Sequence, residues 1–479
     1  MQDDDTDARP PRQRVLIIGG SGFVGTSLAH TLKDEGHVVE VFDQKLPPHS
    51  LLESIRKFTF GDVCDLDALV EVMDAFSPDV VIHLASWGMS GPEMLSTNCT
   101  RINVGGVDCV LEAMRQTETE CLIYTSTYNV CYGGQEIDGG DESCPYFDVS
   151  AHTDVYSASK AQAEQLVLAA NGRDNLRTCS LRPAAIYGDG EERHIPRIVA
   201  HIDSGLFSLF RIGKRSIVDW VHVENLCQAF VCAVDKLTDT FDPKAAPCGN
   251  AYFISDGTPC DQWQFLKPLV LARGRAPPSL VVPVELALAA AWAFEATYHA
   301  VGVRPMLTRA EVLKVGRTHN FSIAKARREL GYDPSITSSE GADFMAMGYS
   351  RPGSSLNYFQ SPPLALWVIV NSLMALLYTV AFTDLSLWTG PLGAALGAVR
   401  QLGLWLCMCV PSSLDPTLPR LFHLAVAIHL FEALLVAPAY CLHLGVRFDL
   451  SMLWVLQTLS LGGGSLQYLV ARSRQQASK

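Results

Sequence analysis

Several features that would narrow the function at once are missing from this 479-residue chain. Its 14 cysteines fall singly, apart from a lone Cys407-x-Cys409 pair, with neither the paired spacing of a zinc site nor a disulfide framework. No metal is expected on that ground, and the thiols read as reduced, mostly buried groups of a cytosol-facing domain. A basic excess is also absent: 37 Lys and Arg stand against 50 Asp and Glu, a formal charge of -13. Six Lys/Arg and four Asp/Glu fall after residue 360, so the first 360 residues carry -15. Such a surface repels phosphate backbones, and nucleic acid is not an expected partner. Residues 1–13 lack the basic and apolar stretches of a secretory signal and read as a disordered lead-in.

What is present is a packed, multi-domain chain, with 48% hydrophobic and 18% charged residues. Residues 14–345 alternate short branched apolar runs with longer helical patterns, the rhythm of a doubly wound parallel sheet covered by helices. Strands are expected at Val15 to Ile18, Val38 to Phe42, Val80 to Leu84, Cys121 to Tyr124 and Arg177 to Leu181. A smaller substrate subdomain is expected mainly from about residue 183 onward. Residues 346–363, rich in Gly, Pro and Ser, read as a linker.

Beyond it lies a helical transmembrane region, residues 364–471. Leu364 to Thr383 and Leu450 to Val470 hold no charged residue and match the roughly 20 residues that cross a bilayer. Leu385 to Val410, broken by Arg400, and Leu421 to Leu444, with Glu432 and three His, complete an expected set of four spans. Arg420, Arg472, Arg474 and Lys479 place both ends of the last hairpin, and the tail 472–479, on the cytosolic side with the catalytic region.

The chemistry starts at Gly19-Gly20-Ser21-Gly22-Phe23-Val24-Gly25, set between the first strand and a helical pattern. Such a turn lets the backbone approach a pyrophosphate at a helix N-terminus. Asp43, 18 residues past Gly25, can accept hydrogen bonds from an adenosine ribose. It argues for NAD, because a 2'-phosphate there would be repelled by up to about 4 kcal/mol and Gln44 offers no cation. Tyr156 and Lys160 stand four apart on one helical face, a spacing suited to moving a proton as hydride leaves an alcohol. The hydroxyls of Tyr124-Thr125-Ser126-Thr127 end a strand and can hold a substrate oxygen.

The ordered set Gly19/Gly22/Gly25, Asp43, Gly61-Asp62-Val63, His83-Leu84-Ala85-Ser86, Asn103-Val104, Tyr124 to Thr127, Tyr156/Lys160, Leu181-Arg182-Pro183 and Tyr187-Gly188 resembles the extended short-chain dehydrogenase/reductases. Within them the chain resembles the 3β-hydroxysteroid dehydrogenase-like branch, particularly family 42E, through Ala85 to Gly91, Ser126 to Val130, Val221 to Leu226 and Tyr252 to Gly257. The resemblance implies that Tyr156 is the general acid/base and that Lys160 binds the nicotinamide ribose and lowers the tyrosine pKa. Thr127, with Ser126 as runner-up, positions the substrate oxygen. Cofactor contacts run through the glycine turn with Phe23, Val24 and Ala85; Asp62 and Val63 line the adenine pocket, and Pro183 and Tyr187 border the nicotinamide.

It further implies an NAD-dependent oxidoreductase of steroid biosynthesis that oxidises a 3β-hydroxyl of a steroid or sterol-like lipid, with room for a Δ5 to Δ4 isomerisation. It implies an integral membrane protein of the endoplasmic reticulum, with membrane lipid as a partner and a homo-oligomer allowed for. Competing readings are a sterol-4-carboxylate 3-dehydrogenase, a nucleotide-sugar epimerase, and a membrane scaffold that only binds NAD. Leu280 to Val303 reads as an apolar segment lying against the bilayer or, equally, as an ordinary buried helix.

Overall fold

Branched and aromatic side chains fit a pleated surface, and where they form short uninterrupted runs the chain extends into strands buried on both faces. The computed structural model describes residues 13–350, apart from 204–206, 208–209, 279, 303–304 and 306. Seven strands form the central sheet: β1 Arg14–Ile18, β2 Val38–Asp43, β3 Lys57–Phe60, β4 Val80–His83, β5 Cys121–Thr125, β6 Arg177–Pro183 and β7 Asn250–Ile254. All are parallel, in the order β7-β6-β5-β4-β1-β2-β3.

Alternation along each strand sorts its side chains between two layers. Val15, Ile17, Val41 and Ile82 pack with Leu28, Leu32, Leu226 and Phe230, from the helices Phe23–Asp34 and Val223–Asp239. Leu16, Ile18, Phe42 and Val81 pack on the opposite face with Leu69, Met73, Val110 and Val167, from the helices Leu66–Phe76, Gly105–Gln116 and Val155–Ala170. Each such large side chain contributes about 1.5–3 kcal/mol on burial, which is what holds the layers together.

The strand order reverses at β1, whose neighbours are β2 on one side and β4 on the other. In open parallel sheets that reversal opens a crevice beyond the carboxyl ends of the strands, and ligands bind there.

The residues after 183 divide between the central sheet and smaller elements. β7 returns to the edge of the main sheet, while Ile217–Val218, Cys260–Asp261 and His319–Phe321 form a small sheet with Ile137–Gly140. The segment read as apolar and membrane-facing becomes a strand, Leu280–Val282, paired in parallel with Phe210–Ile212, and a helix, Val284–Val301, closed by Gly302 at φ 75°. Residues 200–203, 207 and 270–278 belong to a second unit, within which Arg273 pairs with Asp203 at 2.5 Å.

The helix Ser338–Gly348 carries the folded region into the first residues of the expected linker. The rest of that linker, the four spans expected in 364–471, the tail and residues 1–12 lie outside the described residues. Among the described residues no helix is long and apolar enough to cross a membrane. Eleven cysteines are free in this region, as expected, and none is paired in a disulfide among the described residues.

Candidate active site

The glycine turn owes its residue types to two different neighbours. Gly19 sits at φ 86°, and a Cβ there would come within 2.5 Å of the backbone nitrogen of Ala85. A Cβ on Gly25 would come as close to the backbone of Gly20, so both glycines are demanded by the chain's own packing. Gly22 is different: its φ is ordinary and a Cβ would meet nothing nearer than the Gly19 carbonyl at 3.7 Å.

That open side faces the start of the helix Phe23–Asp34, whose N-cap Gly22 has no capping side chain and whose first turn, with Phe23 and Val24, holds no acidic residue. Free backbone N–H groups at such an end favour an anion. Asp43 braces the turn from β2: Oδ2 accepts from Ser21 N at 2.9 Å and Oδ1 from Lys45 N at 2.8 Å. Each carboxylate oxygen keeps acceptor capacity for a ribose hydroxyl. Ala85 is held at the mouth by its N–H to Ile18 O, 2.9 Å. The turn after β3 places Asp62 at the surface, 3.6 Å from Arg101, and buries Val63 against Gly106.

The second half of the site rests on the helix Val155–Ala170. Asp154 caps it, accepting from Ser157 N at 2.7 Å and Ser157 Oγ at 3.0 Å, which fixes the first turn that carries Tyr156. Tyr156 and Lys160 are both buried, one turn apart on the same face. Lys160 Nζ donates to Thr125 O at 2.5 Å and lies 4.3 Å above the Tyr124 ring, so its ammonium is seated on the carboxyl end of β5.

Burial pushes Lys160 down to about 7, against the pull of Glu164. Glu164 is one turn further along; burial raises its carboxyl, but the Arg182 guanidinium, 2.6 Å away, outweighs this and holds it below the usual range. Ser180 and Tyr146 donate to the same carboxylate at 2.8 and 2.7 Å. His83, at the end of β4, is pushed to about 3 by burial and then by the Lys160 charge. It is therefore neutral, and Lys160 loses its proton as pH rises through about 7.

Burial and then the Asp154 carboxylate push the Tyr156 phenol above the ordinary value, while Ser86 and Arg193 act downward. The Lys160 ammonium is turned to the Thr125 carbonyl. The Ser86 hydroxyl lies at the phenol's side. Thr127 accepts from Asn129 N at 3.3 Å, capping the short turn that follows β5, and keeps its hydroxyl proton free.

Asn103 joins the parts. Its Oδ1 accepts from Trp87 N at 2.8 Å and from Ser86 Oγ at 3.3 Å, and its Nδ2 donates to Trp87 O at 3.0 Å and to Ser159 Oγ at 2.9 Å. Ser159 Oγ donates to Tyr156 O at 2.8 Å, so one buried amide ties the loop after β4 to the helix of Tyr156. Asn103 and Ser86 stand out in the sequence only as parts of motifs, since their partners are remote along the chain. Pro183 ends β6 beside Ile254. Tyr187 is a correction: it is fully buried, donates to Asp256 Oδ2 at 2.8 Å and packs edge-on against Trp220, so its side chain cannot border a nicotinamide.

Around the phenol the wall is apolar: Tyr156 clusters with Met94, Cys99 and Ala310, and Trp87, Met89 and Val155 pack against them. Both nitrogens of His83, the hydroxyls of Tyr124, Thr125 and Ser126, and Trp87 Nε1 are buried without a hydrogen-bond partner among the described residues. Such orphaned groups are rare in finished interiors, and their concentration at the carboxyl ends of β4 and β5 marks a place built to receive a ligand. With the open face of Gly22 and the bracing of Asp43, the residues present fit a dinucleotide. Among the described residues no group of side chains could hold a metal ion.

A glycine turn at the switch point, an acidic residue after the second strand and a buried Tyr–Lys pair on a helix define an oxidoreductase of the short-chain dehydrogenase/reductase class. The profile of the 3-beta hydroxysteroid dehydrogenase/isomerase family matches residues 16–284, and the chain belongs to that family. Short-chain dehydrogenase/reductase family 42E member 1 of Macaca fascicularis is 41% identical over 360 residues, 72% of this chain and 91% of the relative. A 3 beta-hydroxysteroid dehydrogenase/Delta 5-->4-isomerase of Mycobacterium tuberculosis is 33% identical over 336 residues, 68% of this chain and 88% of the relative. Among solved structures, the UDP-glucose 4-epimerase of Thermotoga maritima aligns with a TM-score of 0.53 at 18% identity, over 70% of this chain and 98% of that one. The dTDP-glucose 4,6-dehydratase of Bacillus anthracis, in complex with NAD, aligns with a TM-score of 0.53 at 19% identity, over 70% and 96%. These two share the fold.

Proposed function

We propose that this chain oxidises a secondary hydroxyl of a steroid-like lipid, with NAD as the hydride acceptor. The single observation that carries the substrate class is the seat of the Tyr156 phenol: an apolar wall of Met89, Met94, Trp87 and Ala310 beside the carboxyl end of the sheet. A sugar would meet few polar partners on that wall, whereas a fused-ring alcohol buries apolar surface there at about 25 cal/mol per Å². The family to which the chain belongs, and the hydroxysteroid named for its mycobacterial relative, support the 3β position and a following Δ5 to Δ4 shift as the finer reading.

NAD is supported by Asp43 and by solved neighbours that carry it. The bound nicotinamide supplies the hydride acceptor and, oxidised, a positive charge. With NAD bound, Tyr156 Oη would act as the phenolate, taking the hydroxyl proton while the cofactor accepts the carbinol hydride, and the phenol would then return that proton to solvent. Lys160 holds the cofactor side of the site against Thr125 O, and the hydroxyl proton of Thr127 is available to the substrate oxygen.

Membrane lipid is the second partner. The uncharged runs Leu364 to Thr383 and Leu450 to Val470 support an integral protein of the endoplasmic reticulum, its catalytic domain in the cytosol. Leu280, Leu286 and Trp292 are each about three-fifths exposed, which supports the Val284–Val301 helix as a bilayer contact through which substrate enters. A single label near Trp292 is then quenched by lipid-borne probes, and absence of quenching removes the contact.

The functional test uses membranes holding the full chain, NAD and a panel of hydroxysteroids, with NADH as the signal. Tyr156→Phe lowers the rate about 10²–10⁴-fold. No NADH with any steroid, or an equal signal from the variant, overturns the reading.

A further inference from the structure

Ser86 stands between two anchored neighbours. Ala85 N is held to Ile18 O at 2.9 Å over the glycine turn, and Trp87 packs into the apolar wall of Tyr156. Both backbone groups of Trp87 are tied to Asn103, whose Oδ1 accepts from Trp87 N at 2.8 Å and whose Nδ2 donates to Trp87 O at 3.0 Å. The half-buried Ser86 hydroxyl is thereby fixed where the mouth of the glycine turn and the phenol meet.

The serine proton has a weak resting partner. Ser86 Oγ donates to Asn103 Oδ1 at 3.3 Å, long for a hydroxyl donor, which ordinarily sits about 2.7–2.8 Å from its acceptor. Asn103 Oδ1 also keeps Trp87 N at 2.8 Å, so withdrawal of the serine proton leaves no buried acceptor unmatched. On the other side of the same amide, Nδ2 donates to Ser159 Oγ at 2.9 Å and Ser159 Oγ donates to Tyr156 O at 2.8 Å. Serine and phenol are therefore mounted on one frame, and only the serine proton is loose within it.

The other groups around the phenol oxygen offer it no free donor. Met94 and Ala310 are apolar, and the Cys99 thiol, which burial raises to about 11, donates to Glu93 O at 3.4 Å. Asp154 is an acceptor with both oxygens engaged by Ser157. Burial keeps the Tyr124 and Tyr128 phenols protonated, so they bring no charge. Arg193 is exposed and acts on the phenol only through space, and the Lys160 ammonium donates to Thr125 O. A hydroxyl both accepts and donates, which suits Ser86 to either state of the phenol.

We propose that Ser86 is a positioning residue for the acid/base step, accepting from the Tyr156 hydroxyl when the phenol is neutral and turning its own proton from Asn103 Oδ1 to the phenolate when it is charged. This rests on the proposed function for the step in which the phenolate takes the alcohol proton. Ser86 keeps its proton throughout. The phenol proton leaves to solvent, the serine hydroxyl rotates toward Tyr156 Oη, and arrival of the alcohol proton returns both groups to their first arrangement. A hydrogen bond to a charged oxygen is stronger than one to a neutral amide, so the rotation favours the phenolate.

The test is the pH profile of NADH formation by the full chain in membranes with NAD and a hydroxysteroid. Ser86→Ala moves the ascending limb up by about 1–2 pH units, the equivalent of one hydrogen bond to a charged group. Ser86→Thr, which keeps the hydroxyl, holds the limb near its wild-type position. A limb that stays in place in Ser86→Ala, with the rate lowered alike at every pH, is the mark of a merely structural serine and overturns the proposal. Absence of NADH from wild type with every steroid refutes the proposed function instead, and Ser86 is then judged without turnover. An aryl sulfonyl fluoride reacts with phenolate, and with NAD present at about pH 8 its adduct at Tyr156, followed by peptide mass analysis, forms about ten-fold or more slowly in Ser86→Ala than in wild type. Equal labelling rates overturn the proposal.

Discussion

Alanine at Gly22 costs the fold little. The φ of -81° suits any residue, and the new Cβ meets only Gly19 O at 3.7 Å. A gain of about 0.4–1 kcal/mol from a less flexible unfolded chain is set against a similar loss from a poorer N-cap. The melting temperature of Gly22→Ala therefore stays within about 2–4 °C of wild type. Alanine at Gly19 is another matter. Its φ of 86° adds about 1–2 kcal/mol, and a Cβ at 2.5 Å from Ala85 N adds about 1–3 kcal/mol of overpacking. What Gly22→Ala does lose is the approach of a pyrophosphate to the first helical turn, so NAD affinity falls about ten-fold or more. Thermal melts combined with NAD titration by intrinsic fluorescence separate the two effects. A Gly22→Ala protein that binds NAD as wild type does would refute the assignment of that open face to the cofactor.

Asp43→Asn removes the charge that opposes a 2'-phosphate, so the ratio of NAD to NADP affinity narrows at least about ten-fold; an unchanged ratio refutes the role of Asp43. Glu164→Gln leaves the Arg182 guanidinium buried and unmatched, and denaturant unfolding shows a loss of about 3–5 kcal/mol. Lys160 titrates in the fold at about 7, below its ordinary value near 10.4, so between these pH values the unfolded chain binds more protons. Stability of wild type relative to Lys160→Met therefore rises as pH climbs from about 7 to about 10, and a flat difference shows that the burial of Lys160 is not what sets its proton affinity.

Much of the nucleotide half was legible because its signals are local. The five expected strands appear within one or two residues of their expected ends, since continuous apolar runs leave few alternatives. β3, Lys57–Phe60, escaped because it is an edge strand, opens on a lysine and keeps its side chains half exposed. β7 was visible only as the motif Tyr252 to Gly257 and joins the sheet through β6, some 70 residues earlier in the chain. The Tyr156–Lys160 pair was readable from helical spacing. The turning of Lys160 to Thr125, the bridge made by Asn103 and the position of Ser86 beside the phenol depend on partners 16 to 70 residues away, which no spacing rule reports. Tyr187 misled for the same reason: Asp256, which captures its hydroxyl, is 69 residues on.

The central claim is that the Tyr156 phenol and the cofactor meet at one carbinol carbon. A hydroxysteroid deuterated at that carbon, incubated with the full chain in membranes and NAD, tests it most directly by mass analysis of the reduced cofactor. Deuterium recovered in NADH with wild type, and lost with Tyr156→Phe, is the predicted result. Unlabelled NADH, or equal label from both proteins, contradicts the account.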